Sequence, residues 1–226
     1  ADAKRLGVGL RLAPASEPAS TPEADPAMRA LVMAITTKDP QIDRHSARVA
    51  DLSVRLGAAL GWRRERLARL RAAALLHDVG KLAIRQEVLA KEGPLDEGER
   101  ADMRRHAEVG AAIVAEVLSP EQGRWVRAHH ERWDGLGYPD GLLGERLPPE
   151  ARLMAVADAW DAMTAGRVYR PAVTCGEALA EMRDCAGAQF WPVAVRALAD
   201  VVGGLPHRSD DGALAAAAAG SLRDTP

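Results

Sequence analysis

The sequence predicts an all-α fold, a single bundle of about seven to nine helices. Apolar residues recur every three or four positions, which is the period of a helix and not of a strand. Hydrophobic residues make up 47% of the chain and aromatic residues only 4%, and the abundant Ala, Leu and Arg favour helices. With 226 residues, the chain has the length of one domain with a sizeable core.

The two ends of the chain lack this pattern. Residues 13–26 (APASEPASTPEADP) carry four prolines among small and acidic residues, a composition typical of a linker. The alanine run near the other end has no apolar stripe. We therefore expect a disordered linker at 1–26, a folded domain at 27–205 and a tail at 206–226.

Two helices are predicted in the first part of the domain. An apolar stripe that includes His45 runs from Asp43 to Gly61, where a glycine typically ends a helix. A second stripe begins near Glu65, and its apolar face ends in LLHDVGKL, residues 75–82. The spacing predicts that this helix continues to Gly80 and carries a histidine and an aspartate at its end.

Two further helices begin with recognisable caps. Asp96, followed by a glutamate at the third helical position, forms a capping-box pattern ahead of a helix that carries His106. Ser119 and then Pro120 open the next helix. Its predicted continuation places His129 and the following histidine one turn beyond Trp125 and Val126.

The rest of the domain contains a loop and three helices. Glycine and proline are dense in DGLGYPDGLLGERLPPE, which predicts a loop. The following ARLMAVADAWDAMTAG is apolar on nearly every side, so we expect a central buried helix with Asp158 in its middle. Two more helices, at roughly 175–187 and 192–203, close the bundle.

Charge and cysteine content exclude several classes of protein. The net charge of −2 provides no positive field for bulk nucleic acid. The only two cysteines, Cys175 and Cys185, form no disulfide framework, which fits a reducing compartment. No apolar stretch approaches the roughly 18 residues of a membrane span, and no signal peptide is visible. We expect a soluble, cytoplasmic protein without membrane contact.

Five of the six histidines fall on or beside the apolar stripes of different helices. One such histidine alone is more often a core residue bonded to a backbone carbonyl. Five imidazoles that converge with two carboxylates would be costly to bury unless they shared a cation. The pattern therefore predicts a metal centre with the candidate ligands His45, His77, Asp78, His106, His129, His130 and Asp158.

The number and type of ligands indicate a dinuclear centre. Seven candidates exceed the four of a closed structural zinc site, and none is a cysteine. Imidazole and carboxylate suit Fe, Mn, Zn, Co or Ni. On a helix, His77 and Asp78 would point about 100° apart, so Asp78 could bridge to a second ion. Paired ions of this kind hydrolyse phosphoesters, and Gly80 would let Lys81 turn towards a bound substrate.

Four motifs in fixed order resemble the HD-GYP family, the bacterial branch of the HD phosphohydrolases that hydrolyses cyclic di-GMP. They are LLHDVGKL, HAEVG, HHERWDGLGYPDGL and AVADAWDAMTAGRVYR. The resemblance extends over about 36–200 and includes LAKEGPL and RLPPEARLMAVAD. It implies the helical bundle of the HD phosphohydrolase type.

The resemblance also implies residue roles. All seven candidate ligands match the metal ligands of the family, with Asp78 in the bridging place and Fe or Mn as the expected ions. Some members hold a third ion with a glutamate where this chain has Gln41, a poorer ligand, so we expect two divalent ions. Three residues match positions that hold substrate phosphates: Lys81, Arg167 and Arg170. Without the resemblance, each of them would fit an ordinary charged residue on the surface equally well. The signature loop is Gly137, Tyr138 and Pro139.

The implied reaction is hydrolysis of cyclic di-GMP to pGpG, with a possible second cleavage to GMP. A metal-bridging hydroxide would attack phosphorus, while the ions, Lys81 and the two arginines neutralise the developing charge. One alternative is an HD-type hydrolase of another nucleotide, such as cyclic GMP-AMP. A second is a catalytically silent module that binds the nucleotide or docks a diguanylate cyclase through the loop. Silent members usually lose a metal ligand, and this chain keeps all seven.

Overall fold

The computed structural model describes residues 26–165 and 172–203. Within these ranges the chain forms nine α-helices and no β-strand, which confirms the all-α prediction. No helix in the described ranges combines the length and apolar character needed to cross a membrane. The helices are α1 (Pro26–Lys38), α2 (Pro40–Ala59), α3 (Arg64–Leu75), α4 (Gln86–Leu89), α5 (Glu97–Val117), α6 (Pro120–Arg127), α7 (Pro149–Thr164), α8 (Cys175–Asp184) and α9 (Pro192–Gly203).

Helix α7 lies at the centre of the bundle. It packs against α2, α6, α8 and α9, and its Leu153 and Val156 are completely buried. Leu56 of α2 and Leu198 of α9 belong to the same cluster of buried apolar side chains. Contact on several sides explains why this segment is apolar on nearly every face. The predicted central helix is therefore confirmed, and it carries Asp158.

The predicted helix starts are confirmed at α5 and α6. The backbone N–H of Glu99 donates to Asp96 Oδ1 and the N–H of Asp96 donates to Glu99 Oε2, both at 2.8 Å. At α6, Ser119 Oγ accepts the N–H of Gln122 at 3.2 Å, and Pro120 is the first helical residue. These local bonds satisfy backbone donors that a helix start leaves free.

Helix α3 ends at Leu75 and not at Gly80, so the predicted end of this helix was wrong. The His77 ring donates from Nδ1 to the carbonyl oxygen of Ala74, 2.7 Å away. In a continued helix this oxygen would accept the backbone N–H of Asp78. His77 and Asp78 therefore lie in a turn, and the angle expected for helical neighbours does not apply to them. A short 3₁₀ turn follows at Val79–Ala83.

Helix α6 ends early in the same way. It stops at Arg127, before the two histidines that were predicted to continue it. The His129 ring donates from Nδ1 to the carbonyl oxygen of Val126 at 2.5 Å. A continued helix would use that oxygen for the backbone N–H of His130. In both cases a histidine side chain takes the place of a helical hydrogen bond.

Gly80 allows the 3₁₀ turn to lie directly against α5. A Cβ atom at this position would stand 2.0 Å from the carbonyl oxygen of His106 and 2.5 Å from the backbone nitrogen of Gly110. Only a residue without a side chain fits such a close approach. The contact brings Asp78, two residues before this glycine, close to His106, with 3.6 Å between Asp78 Oδ1 and His106 Nε2.

Candidate metal centre

The seven predicted ligands meet at one place in the bundle. They come from α2, the turn after α3, α5, the segment after α6, and α7. The donor atoms of six of them form two groups, each with all atoms within 4.8 Å of one another. The first group contains His45, His77 and Asp78, and the second contains His106, His129 and His130. Asp158 joins the first group, since its Oδ1 lies 3.2 Å from His45 Nε2.

The carboxylate of Asp78 lies between the two groups. Its Oδ2 is 3.5 Å from His77 Nε2 and 3.8 Å from His45 Nε2. Its Oδ1 is 3.6 Å from His106 Nε2 in the other group. Asp78 is 3% exposed. One buried carboxylate thus presents one oxygen to each group, which is the arrangement of a bridging ligand.

Three of the imidazoles are oriented by their own backbone. Each donates from Nδ1 to the carbonyl oxygen three residues earlier, so its Nε2 carries the lone pair that a metal ion needs. Nε2 of His77 is buried and has no hydrogen-bond partner among the described residues. A buried imidazole nitrogen in this state fits a metal ligand. The bonds are His77 to Ala74 at 2.7 Å, His106 to Met103 at 2.6 Å and His129 to Val126 at 2.5 Å.

His45 is oriented by an aspartate that the sequence analysis missed. Its Nδ1 donates to Asp161 Oδ2 at 2.8 Å, and Asp161 also binds the guanidinium of Arg48, with Nη2 at 2.9 Å. Asp161 is 5% exposed. A carboxylate behind a ligand histidine fixes the ring and makes the ligand more basic. The signal was present in ADAWDAM, because Asp161 lies three residues after Asp158 on the same helix face.

Burial and charge set the protonation states of the site. Burial lowers the pKa of His130 to about 4 and holds the pKa of His129 well below its usual range. Burial also opposes the charge of His45, but hydrogen bonds to Asp158 and Asp161 raise its pKa to about 9. Despite burial, the positive charge of Lys81 and nearby imidazoles keep the pKa of Asp78 low. Neutral imidazoles and ionised carboxylates are the forms that bind metal ions, so His129, His130 and Asp78 are ready to bind, whereas His45 must first lose a proton.

Comparison with known proteins identifies the family. Residues 29–192 match the model of the HD domain. The chain belongs to the HD-domain family. The resemblance to HD-GYP proteins is thereby confirmed, together with the fold that it implied.

The relatives of this HD-domain chain include phosphodiesterases. It is 40% identical over 175 residues to the cyclic di-GMP phosphodiesterase response regulator RpfG of Xanthomonas campestris, covering 74% of this chain and 45% of the relative. It is 36% identical over 185 residues to the 3'3'-cGAMP-specific phosphodiesterase 3 of Vibrio cholerae, and the match covers 78% of this chain and 40% of the relative. The solved structure of an HDG"Y"P protein from Bdellovibrio bacteriovorus has a TM-score of 0.57 at 23% identity, covering 72% of this chain and 53% of that one. The chain spans less than half the length of these curated relatives.

Of the predicted phosphate-binding residues, the structure describes Lys81. Its Nζ lies 2.6 Å from Asp78 Oδ2, at the edge of the candidate metal centre. Arg167 and Arg170 lie outside the described residues, and so does the side chain of Gln41. The roles of these three residues stay predictions from the family resemblance.

The predicted signature loop reaches the candidate metal centre through Tyr138. Its ring stacks on His130, with 4.9 Å between the ring centroids and 27° between the planes. Its backbone N–H donates to the carbonyl oxygen of His130 at 3.3 Å. Gly137 passes so close to the preceding backbone that a Cβ would lie 2.3 Å from the nitrogen of Arg132. The glycine thus allows the tyrosine to cover the second histidine group.

The loop is held from inside by Glu131, a second residue that the sequence analysis missed. This carboxylate is 3% exposed. Its Oε1 accepts the backbone N–H of Asp140 at 2.6 Å, and its Oε2 accepts that of Leu142 at 3.1 Å. A buried carboxylate with both oxygens bonded to loop amides fixes the loop. Its position directly after the paired histidines, in HHERW, was the available signal.

Proposed function

We propose that this chain is a metal-dependent phosphodiesterase that hydrolyses cyclic di-GMP to pGpG. The main support is Asp78, whose two oxygens face two separate histidine groups. The names of curated relatives support the substrate class, since several act on cyclic dinucleotides. Because the chain spans only part of those proteins, the activity of the whole protein is part of this proposal.

The residues of the chain would hold two divalent ions. His45, His77 and Asp158 would bind the first ion, the second histidine group would bind the other, and Asp78 would bind both. Bound ions, with iron and manganese as first candidates, supply an activated water and neutralise the charge that develops on phosphate. Gln41, at the place where some relatives have a third-ion glutamate, favours two ions over three.

The cationic residues would position the substrate. Lys81 stands beside the bridging carboxylate and would contact the phosphate that is cleaved. Arg167 and Arg170 would bind phosphate through paired hydrogen bonds. Two ions favour a single cleavage with pGpG as the end product over a second cleavage to GMP.

A second candidate function is hydrolysis of cyclic GMP-AMP. It is favoured by the 36% identity to a cGAMP-specific phosphodiesterase over most of this chain. The metal centre would serve either substrate, because both have the same phosphodiester chemistry. A catalytically silent nucleotide-binding module is less well supported, because all seven candidate ligands are kept.

The decisive experiment combines metal analysis with product identification. Protein purified without oxygen is analysed for bound elements and then incubated with cyclic di-GMP and, separately, with cyclic GMP-AMP. We expect about two ions per chain and pGpG as the product of the first substrate. Protein loaded with iron or manganese that binds cyclic di-GMP and leaves it intact would disprove catalysis and favour the binding module.

Three variants test the assignment of residues. Asp78→Ala should lose at least one ion and nearly all turnover, because both groups share this carboxylate. His207→Ala, in the predicted tail, is the control and should change neither metal content nor turnover. Lys81→Ala should weaken substrate handling and keep the metal content. Equal behaviour of the first two variants would contradict the proposed centre.

Further expectations from the sequence remain proposals. Docking of a diguanylate cyclase through the signature loop is compatible with Leu136 and Leu143, which are 78% and 58% exposed. The domain limits at 27–205 and a cytoplasmic setting also stay predictions. Both cysteines are free, as a reducing compartment requires.

A further inference from the structure

Arg104 lies at the edge of the metal centre and has no role in the proposal so far. It is an exposed residue of α5, two positions before His106. Its guanidinium carbon is 5.2 Å from the centroid of the Tyr138 ring. That ring stacks in turn on His130. A column of three side chains therefore leads from the second histidine group to a cation at the surface.

The charge of Arg104 is not neutralised within the part of the chain that the structure describes, where it forms no ion pair. Helical spacing would bring Glu108 within reach, four residues further along α5. Glu108 instead binds Arg127, whose Nη2 is 3.0 Å from its carboxylate, and Arg127 also binds Asp140 at 2.8 Å. The acid that would ordinarily pair with Arg104 is thus occupied by another arginine.

The tyrosine ring restricts the guanidinium without using its hydrogen bonds. A guanidinium over an aromatic face is attracted by the ring, while the N–H groups at its edge remain free. These N–H groups match two oxygens of a phosphate. Because the ring already restricts the side chain, binding an anion there costs less conformational entropy than at a free surface arginine.

We propose that Arg104, held against Tyr138, binds the phosphate of a cyclic dinucleotide that is not being hydrolysed. This inference rests on the proposed function, in which the other phosphate lies at the metal ions. A cyclic dinucleotide carries two phosphodiesters, so a cation beside the metal pocket distinguishes it from a substrate with only one. Arg104 would then be a residue that selects cyclic dinucleotides over simple phosphodiesters.

The test compares Arg104→Gln with a matched control, Arg105→Gln. The control removes the same charge from the next position of α5, which points about 100° away from Arg104 around the helix. There Arg105 Nη1 lies 3.5 Å from Asp102 Oδ1. Two substrates are used: cyclic di-GMP, and bis(p-nitrophenyl) phosphate, which has a single phosphodiester. Arg104→Gln should lower kcat/KM for cyclic di-GMP roughly tenfold or more relative to the simple diester, mainly through KM. Arg105→Gln should leave this ratio unchanged.

Binding and metal content complete the test. Calorimetry with a phosphorothioate analogue of cyclic di-GMP that resists hydrolysis should show a Kd that is raised roughly tenfold by Arg104→Gln and partly restored by Arg104→Lys. Equal Kd values for the two glutamine variants would overturn the inference, and so would a loss of bound metal from Arg104→Gln. If wild-type protein binds cyclic di-GMP without cleaving it, the proposed function fails, whereas the difference in Kd still decides the role of Arg104.

Discussion

The His45 ring donates from Nδ1 to the buried Asp161 carboxylate, 2.8 Å away, and so directs Nε2 towards Asp158 and Asp78. Asp161 and Asp158 lie on one face of α7, three residues apart. One carboxylate orients the histidine from behind, while the other meets it in the pocket. The helix therefore contributes both a candidate ligand and the group that positions a ligand from α2.

Asp161→Asn tests this positioning. The neutral amide accepts a weaker hydrogen bond from His45 and no longer forms an ion pair with Arg48. We expect metal affinity to fall by about 10–100-fold, the usual effect of losing such a partner. Titration of the metal-free protein with Mn²⁺ measures this change. Asp184→Asn, at the exposed end of α8, is the control, and identical affinities of the two variants would contradict the assignment.

Gly80→Ala tests the close approach of the 3₁₀ turn to α5. The added methyl group meets the carbonyl oxygen of His106 and the nitrogen of Gly110, and neither backbone atom can rotate away. We expect a loss of about 1–3 kcal/mol in the free energy of unfolding, as for other overpacked sites. Urea denaturation measures it. Gly93→Ala is the control, since a Cβ at Gly93 meets nothing within 4 Å. If Gly80→Ala keeps the wild-type free energy of unfolding, the turn can shift away from α5 and the prediction is wrong.

Glu131→Gln tests how the signature loop is held. A glutamine offers one accepting oxygen, so either the N–H of Asp140 or that of Leu142 faces an N–H group instead. An unsatisfied buried donor costs about 1–3 kcal/mol. We therefore expect faster amide hydrogen exchange at these two positions. Glu116→Gln, on the exposed face of α5, is the control, and unchanged exchange in Glu131→Gln would mean that the loop is held by other contacts.

Metal removal tests the stability of the centre. Five imidazoles and two carboxylates lie close together, and an ion that binds only the native state stabilises it. We expect treatment with a chelator to lower the melting temperature and added Mn²⁺ to restore it. Asp78→Ala should recover less than the wild type when Mn²⁺ is added. A melting temperature that is indifferent to chelator and metal would contradict a metal centre formed by these residues.

Much of the fold and the candidate site could be predicted from local patterns. The capping box at Asp96 and the apolar character of the segment around Leu153 depend on residues close together in the chain, and both were confirmed. The shared cation was inferred from the cost of burying several imidazoles together with two carboxylates. The predicted ends of α3 and α6 were wrong, because apolar periodicity continues past Leu75 and Arg127, where the backbone already leaves the helix.

The sequence by itself determined that helices form, that five histidines and two aspartates fall on or beside their apolar stripes, and that the chain resembles the HD-GYP family. The tertiary structure decided which imidazole nitrogen faces the other candidate ligands and that Asp78 lies between the two histidine groups. It also decided that Asp161 binds the His45 ring, that Glu131 binds the signature loop, and that Arg104 lies over Tyr138. Spacing along one helix predicts which residues share a face. It does not predict which side chains of another helix they contact, because such contacts join residues far apart in the sequence and depend on how the helices pack.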